Sequence, residues 1–320
     1  MTPDGTPSPL ARRALGGTGL LVTPLCIGCA PLGDMPEAFG YSVGEDQALA
    51  TIRAIFDGPV TFVDTAASYG DGESERRIGL VLRERGGLPP GFVLATKADR
   101  DLHTGDFSGG QMRRSVERSL RLLGLERLPL VYLHDAEHTT FEETMAPGGA
   151  VEALRRCKDE GLIDHLGVAC GPISLSRRYV EAGLFEVALA PNRYTLLNTA
   201  AGPFWDDCAQ RGVAAVNAAP YGGGMLVRGP RSYARYAYRA ASDDIMARAS
   251  QLEALCARYD VPLAAAALQF SLRDPRIAST IVGVSAPEQL DQTVAFASHP
   301  IPEELWDELA TVQPSTDDPE

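Results

Sequence analysis

The feature that most constrains the fold of this chain is an alternation of short apolar runs with helix-patterned stretches, maintained from residue 25 to residue 297. The runs are LCIGCA (25–30), VTFVD (60–64), FVLATK (92–97), LPLVYLH ending at His134, IDHLGVA (163–169), FEVALAP (185–191), VAAVNAA (213–219) and ASTIVGV (278–284). They are too short and too β-branched for helices and read as strands of a buried parallel sheet. The intervening stretches, such as GEDQALATIRAIFD (44–57) and SERRIGLVLRER (74–85), carry apolar residues at helical spacing. Alternating strand and helix units imply a parallel sheet, and eight of them imply closure into a (β/α)8 TIM barrel. An open doubly wound sheet is the runner-up; it would want a GxGxxG turn after an early strand, which this sequence lacks.

No composition break interrupts this pattern, so residues 10–313 read as one barrel domain. RALGGTGLLV (13–22) predicts a hairpin before the first strand, and stretches near 242–258, 262–272 and 302–312 predict extra C-terminal helices. Ser74 and Ser108 are the expected N-caps of the second and third helices, with Gly124 ending the latter. Residues 1–9, rich in Pro, Gly, Ser and Thr, read as a flexible N-terminus, and PSTDDPE (314–320) as a flexible acidic tail. A net charge of −13 argues against a nucleic-acid or anionic-membrane partner and for a small-molecule enzyme. There is no apolar run of membrane-spanning length and no signal-like start, so a cytoplasmic protein is expected. Among the six cysteines, Cys26 and Cys29 form a CxxC on the first strand. With no second pair or nearby histidine to complete a metal set, they read as buried thiols, and no metal is expected.

Four polar residues stand at or just past consecutive strand ends: Asp64, Tyr69, Lys97 and His134. In a parallel barrel the C-terminal ends of the strands converge on one face, so residues spread over 70 positions can meet there. A phenol with an ordinary pKa near 10 is a poor acid at neutral pH; an ammonium in reach favours its ionised form, and a buried ammonium needs a carboxylate. Asp64, Lys97 and Tyr69 thus form a coherent relay, with His134 able to polarise a carbonyl or help move a proton. Taken singly, each has a plain structural reading, as a helix cap or a satisfied core histidine; a buried lysine is the hardest to explain by packing. None of these side chains carries hydride, so redox chemistry would need a borrowed nicotinamide.

Three connections on that face are long: 30–43, 134–149 and 220–242. Long ordered loops there form substrate walls or cofactor clamps. The third holds Arg228, Arg231, Arg235 and Arg239 with Tyr233, Tyr236 and Tyr238, which suits phosphate or substrate contact as well as it suits solvated loop chemistry.

On VDTAASYGDGESERRIG (63–79), LATK (94–97), RSVERSLRLLGLERLPLVYLHD (114–135), PYGGGML (220–226) and IVGVSAPEQL (281–290), the chain resembles the aldo-keto reductase superfamily over nearly its whole length. RYTLLNTAAGPFWDDCAQRGV (193–213) resembles the subgroup of L-fucose or D-threo-aldose 1-dehydrogenases and pyridoxal dehydrogenase. The resemblance implies an NAD(P)-dependent oxidoreductase acting on the carbonyl or alcohol of a small polar substrate. Tyr69 would be the general acid/base, Asp64 and Lys97 its tuning partners, and His134 the substrate-orienting group. It implies cofactor contacts from Cys170, Asn192, Tyr221, Gly222, Gly224, Leu226, Gly283, Ser285 and Gln289, and substrate contacts from Phe39, Tyr41 and Tyr194. The chain departs from the family where the nicotinamide is held: Ala169-Cys170 replace a Ser-Asn pair, the Ala190-Pro191-Asn192 stretch replaces a glutamine, and Ala218 replaces a stacking tyrosine. Ala286 stands at the position of an arginine that meets the NADP 2′-phosphate, and no Lys or Arg occurs between Ile277 and Ser298, so NAD is favoured. Arg273 and Arg276 lie just upstream as a rescue for NADP. Two other readings keep the same residues: a non-redox lyase or isomerase on the same barrel, and a cofactor-binding regulatory protein.

Overall fold

The computed structural model describes residues 10–319; the flexible N-terminus expected over 1–9 lies outside the described residues. Eight parallel strands close into a barrel: β1 (Leu25–Gly28), β2 (Phe62–Asp64), β3 (Val93–Ala98), β4 (Leu128–His134), β5 (Ile163–Ala169), β6 (Val187–Pro191), β7 (Ala214–Ala218) and β8 (Ile277–Gly283), with β8 pairing back onto β1. The (β/α)8 expectation holds, and the open sheet is excluded by that closure. Around the barrel run α1 (Glu45–Asp57), α2 (Glu73–Arg85), α3 (Gly109–Leu123), α4 (Ala150–Asp159), α5 (Ile173–Glu181) and α6 (Gly202–Gln210), followed by α7 (Asp243–Arg258), α8 (Leu263–Leu272), α9 (Pro287–Ala297) and α10 (Glu303–Leu309). The hairpin of Arg13–Ala14 and Leu21–Val22 tucks Leu15 and Val22 into the barrel's apolar interior, packed with residues such as Cys26, Phe62 and Leu130.

Side chains along a strand alternate between faces. On β4, Leu130 and Tyr132 pack in the barrel interior while Val131 and Leu133 pack outward against the helices. The same parity places Phe62 and Ala95 inside and Val63 and Leu94 outside. Continued one step toward the C-terminal ends, it turns Asp64, Lys97 and His134 inward. Strand period alone therefore gathers three of the four candidate residues on the barrel axis.

Local details differ from the sequence reading at three places. Ser108 does cap α3, accepting from the Gln111 N–H at 3.3 Å, and Gly124 ends the helix at φ 70°. Ser74 is not a cap: α2 starts two residues earlier than a Ser74 cap would place it, at Glu73 after Gly72, and the buried Ser74 hydroxyl donates to Cys29 O (2.9 Å) and meets Thr65 Oγ1 (2.8 Å). Within the first turn of α2, those buried polar groups take the hydroxyl in place of a helix-end amide. The second difference is the 220–242 connection, which forms a hairpin of Arg235–Tyr236 and Arg239–Ala240. Its turn places Ala237 and Tyr238 at φ 47° and 67°, held by the Ala237 N–H bonded to Gly222 O at 3.1 Å. Third, residues 314–319 are not a loose tail. Ser315 bridges to Asn198, with Ser315 N–H donating to Leu197 O (2.9 Å) and Thr199 N–H donating to Ser315 O (2.8 Å). Asn198 Nδ2 donates to Asp317 O (2.8 Å), and Asp318 is salt-bridged to Arg193. Backbone pairing and a partly buried ion pair outweigh the polar composition.

Candidate active site

Every barrel strand contributes to the lining of a cavity of about 390 Å³ at the C-terminal face: Gly28, Asp64, Lys97, His134, Ala169, Leu189 with Pro191, Ala218, and Ile281 with Gly283 in strand order. Tyr69, on the loop after β2, joins them. The four candidates therefore meet in one place.

Lys97 is 2% exposed, and its ammonium has its three hydrogen-bond donors directed at Asp64 Oδ1 (2.6 Å), Thr65 O (2.7 Å) and Tyr69 Oη (3.0 Å). Burial alone would lower the Lys97 pKa, but the Asp64 carboxylate and the Tyr69 oxygen, both of which accept from the ammonium, outweigh it and hold the ammonium well above its ordinary value. For Asp64 burial wins over the attraction of Lys97, and its pKa is raised. For Tyr69 the downward pull of Lys97 is present, but burial outweighs it and the phenol lies above its ordinary value. The net lowering expected from the sequence is thus corrected: Lys97 limits the rise rather than reversing it. Tyr69 keeps its proton at neutral pH while its oxygen already accepts from a cation.

His134 is 7% exposed and stands edge-on to the Tyr69 ring, with centroids 5.9 Å apart. Its Nδ1 lies 2.7 Å from Asp99 Oδ1. A carboxylate only accepts, so Nδ1 carries hydrogen and Nε2 is the nitrogen left to meet Asp135 Oδ1 at 3.2 Å. Burial disfavours the imidazolium, but Asp135 and Asp99 together outweigh it and raise the His134 pKa. Asp99 is fixed by the Ser68 N–H at 2.9 Å and by its own N–H donating to Ser115 Oγ at 3.0 Å. Asp99 was missed in the sequence, although it lies two residues past Lys97 and so on the same inward parity.

A second cavity, about 230 Å³, adjoins the first and shares Pro31, Phe39, Ala219, Tyr238 and Gly283 with it. Tyr41, Tyr221, Gly224, Arg228 and Gln289 line this outer cavity, while Cys170 and Asn192 line the inner one. The loops 30–43 and 220–242 meet where the two join, Phe39 edge-on to Tyr238 at 6.4 Å. Two adjoining cavities, with Asp64, Tyr69, Lys97 and His134 lining the inner one, suit an elongated dinucleotide, and the buried Tyr221 hydroxyl has no hydrogen-bond partner among the described residues. Gly222 backs this wall from behind, where a Cβ would fall 2.3 Å from the Tyr236 ring. Burial holds the Cys170 thiol up at about 12, so it is no nucleophile.

Not every residue expected at the site reaches it. Leu226 is buried among the C-terminal helices beside Met225 and Leu252. Ser285 lies off both cavities and is bonded to Gln289 Oε1 through its N–H (2.8 Å) and hydroxyl (3.0 Å). Tyr41 faces the outer cavity rather than the reactive one, with Arg228 5.8 Å from its ring centre. Tyr194 is in neither: its hydroxyl donates to Asp274 Oδ2 at 2.6 Å and its ring stacks on Phe270, which ties it to α8. Arg273 and Arg276 are also elsewhere. Arg273 pairs with Glu303, and Arg276 with Asp274 and Asp206. All six cysteines are buried and unpaired. No helix of the described residues is long and apolar enough to cross a membrane.

Residues 24–313 match the sequence profile of the Aldo/keto reductase family. The chain is 32% identical to a D-threo-aldose 1-dehydrogenase of a Pseudomonas species over 93% of its own length and 96% of that protein. It is 31% identical to pyridoxal 4-dehydrogenase of Microbacterium luteolum, with the same coverage, and 29% identical to L-galactose dehydrogenase of Arabidopsis thaliana over 88% and 86%. In fold it superimposes on an aldo-keto reductase of Bacillus halodurans in its holo form with a TM-score of 0.80, at 23% identity and 97% and 98% coverage.

Proposed function

Because this chain belongs to the aldo/keto reductase family and is an NAD(P)-dependent oxidoreductase, we propose that it interconverts an alcohol and a carbonyl of a small polar substrate, an aldose lactol or a pyridoxal-like compound, with Tyr69 as general acid/base. The observation that carries this reading is the three-way commitment of the Lys97 ammonium to Asp64, Thr65 and Tyr69 at the cavity floor. When bound, the nicotinamide supplies or accepts the hydride. Tyr69 gives its proton to the carbonyl oxygen in reduction and takes the alcohol proton in oxidation. Lys97 stabilises the phenolate left behind, and Asp64 keeps Lys97 charged. His134, oriented by Asp99, turns its Nε2 from Asp135 Oδ1, which it meets at 3.2 Å, to the substrate oxygen and fixes that oxygen within reach of Tyr69.

The trough residues that would hold the cofactor are Cys170 and Asn192 near the nicotinamide, Gly283 at the junction, and Tyr221, Gly224 and Gln289 along the outer wall. NAD is the favoured partner. The outer cavity has one charged residue among its described lining, Arg228, and no cation on the α9 side, while Arg273 and Arg276 are committed elsewhere. Phe39 is our candidate for the substrate wall, because it lines the cavity that holds Tyr69 and His134.

The test is Tyr69→Phe assayed against aldoses and pyridoxal by nicotinamide absorbance. Turnover should fall by about 10²- to 10⁴-fold, with cofactor affinity by fluorescence titration unchanged. Retention of near wild-type turnover would remove Tyr69 from the chemistry.

A further inference from the structure

Arg193 follows β6 and lines the reactive cavity, yet it is 8% exposed and its whole guanidinium is engaged. Nη1 donates to Pro191 O (3.0 Å), Nη2 to Pro319 O (2.6 Å) and Nε to Asp318 Oδ1. The other Asp318 oxygen, Oδ2, accepts from the Ile173 N–H at 2.6 Å, at the N-terminus of α5. A single carboxylate is thus gripped by an arginine and a helix-terminal amide, two donor types suited to an anion. Pro319, next in the chain, forms part of the cavity wall. The carboxylate is not a core group: its side chain is 35% exposed and arrives on the segment Ser315–Pro319, which is held to the 192–199 loop chiefly through backbone bonds.

We propose that Arg193 and the Ile173 N–H form a carboxylate-recognition subsite at the rim of the reactive cavity, and that Asp318 is its resident internal ligand. This deepens the reading of the protein as an oxidoreductase and rests on it for the word substrate: the group recognised is a carboxylate borne by the molecule whose carbonyl or alcohol reacts at Tyr69. Charge around the cavity favours the assignment. Lys97 is matched by Asp64 and His134 by Asp135, so release of Asp318 leaves Arg193 and Arg239 facing Glu137 alone, and Glu137 Oε1 is already bonded to the Gly171 N–H at 2.9 Å. A tethered carboxylate also competes at a high effective concentration, so a free acid meets a closed subsite in the wild-type chain and an open one once the tethered group is removed.

The experiment uses the full chain as wild type, Asp318→Ala, Asp318→Asn and the double variant Asp318→Ala with Arg193→Met, with folding checked by thermal melts. Isothermal titration with glutarate measures the subsite without any turnover. KM is measured in parallel for 4-oxobutanoate and for butanal, an acidic and a neutral aldehyde. Asp318→Ala should bind glutarate about tenfold more tightly than wild type and lower KM for 4-oxobutanoate by about the same factor, with butanal unaffected and the gain lost in the double variant. Asp318→Asn should gain less, since its amide oxygen still accepts from Arg193. Glutarate binding that is equal in wild type and Asp318→Ala, or a gain that persists without Arg193, overturns the proposal. If neither aldehyde turns over in any variant, the aldehyde-reducing reading is at fault, and the glutarate titration still decides the subsite.

Discussion

The two halves of the barrel rim solve different problems with the same geometry. On β2 to β4 the inward strand ends are Asp64, Lys97 and His134, each with an oppositely charged partner at 3.2 Å or closer. On β5 to β8 the equivalent positions are Ala169, Pro191, Ala218 and Gly283, none with a polar side chain. Parity and register are shared, so the contrast lies in residue choice alone. One arc concentrates charge and must balance it internally, because an unpaired buried charge is costly. The other gives up side-chain chemistry for room, and the large side chains beside it come from loop residues such as Tyr221 and Tyr238.

The most forceful way to break this contrast is to remove a charge from the first arc. Lys97→Met keeps the length of the side chain but leaves the Asp64 carboxylate buried without its ammonium and Thr65 O without its donor. The expected loss is about 3–5 kcal/mol of stability, read by denaturant unfolding, together with loss of turnover. Adding Asp64→Asn should recover most of the stability and none of the activity. If Lys97→Met is as stable as wild type, the pair is not the structural keystone of this arc.

Behind the same arc lies a buried carboxyl with no ion-pair partner among the described residues. Glu75 on α2 is fully buried behind β3, its Oε1 accepting from Thr96 Oγ1 at 2.6 Å. Burial pushes its pKa up to about 7, the Thr96 hydroxyl offsetting this only in part. Between the ordinary carboxylate value of 4.5 and about 7, the folded protein keeps a proton that the unfolded chain has released. Stability therefore falls as pH rises across that window. Glu75→Gln removes the titration, so its stability advantage over wild type should grow by about 3 kcal/mol from pH 4.5 to pH 8. Parallel pH-stability curves would show that Glu75 ionises normally.

The sequence made the charged arc readable because its signal is dense. Asp64, Lys97 and His134 are polar residues ending apolar strands, and period two fixes where they point. Asp99 obeys the same period and was passed over only because the strand seemed to stop at Lys97. The small-residue arc carries no such signal: Ala169, Pro191 and Ala218 look like any other strand residues. Tyr194 was misplaced because an aromatic after a strand end is equally at home in the cavity and in the helical layer, and only Asp274, 80 residues away, decides between them. The 314–319 segment was misread for a related reason. Its order depends on Arg193, Asn198 and the Ile173 amide, all more than 100 positions distant. Composition describes a segment by itself and is silent about partners brought to it by the fold.

The smallest expected effect tests whether the uncharged arc is neutral by design at its outer end. Ala286 is half-buried at the N-cap of α9, with φ −149°, an extended backbone that any residue adopts. Ala286→Arg therefore adds a cation beside the Gln289–Thr293 wall without backbone strain. A guanidinium there would meet a 2′-phosphate through charge-assisted hydrogen bonds, so kcat/KM with NADP should rise about tenfold relative to NAD. The barrel and the Tyr69–Lys97–Asp64 cluster lie outside this change, so thermal stability and the pH dependence of turnover with NAD should stay fixed. A gain confined to NADP shows that the outer cavity receives the adenosine end and that the absence of cations on α9 sets the cofactor preference. No gain would assign the phosphate end instead to the side of Arg228, which stacks against Tyr233 at 4.7 Å and is the charged residue in the described lining of the outer cavity.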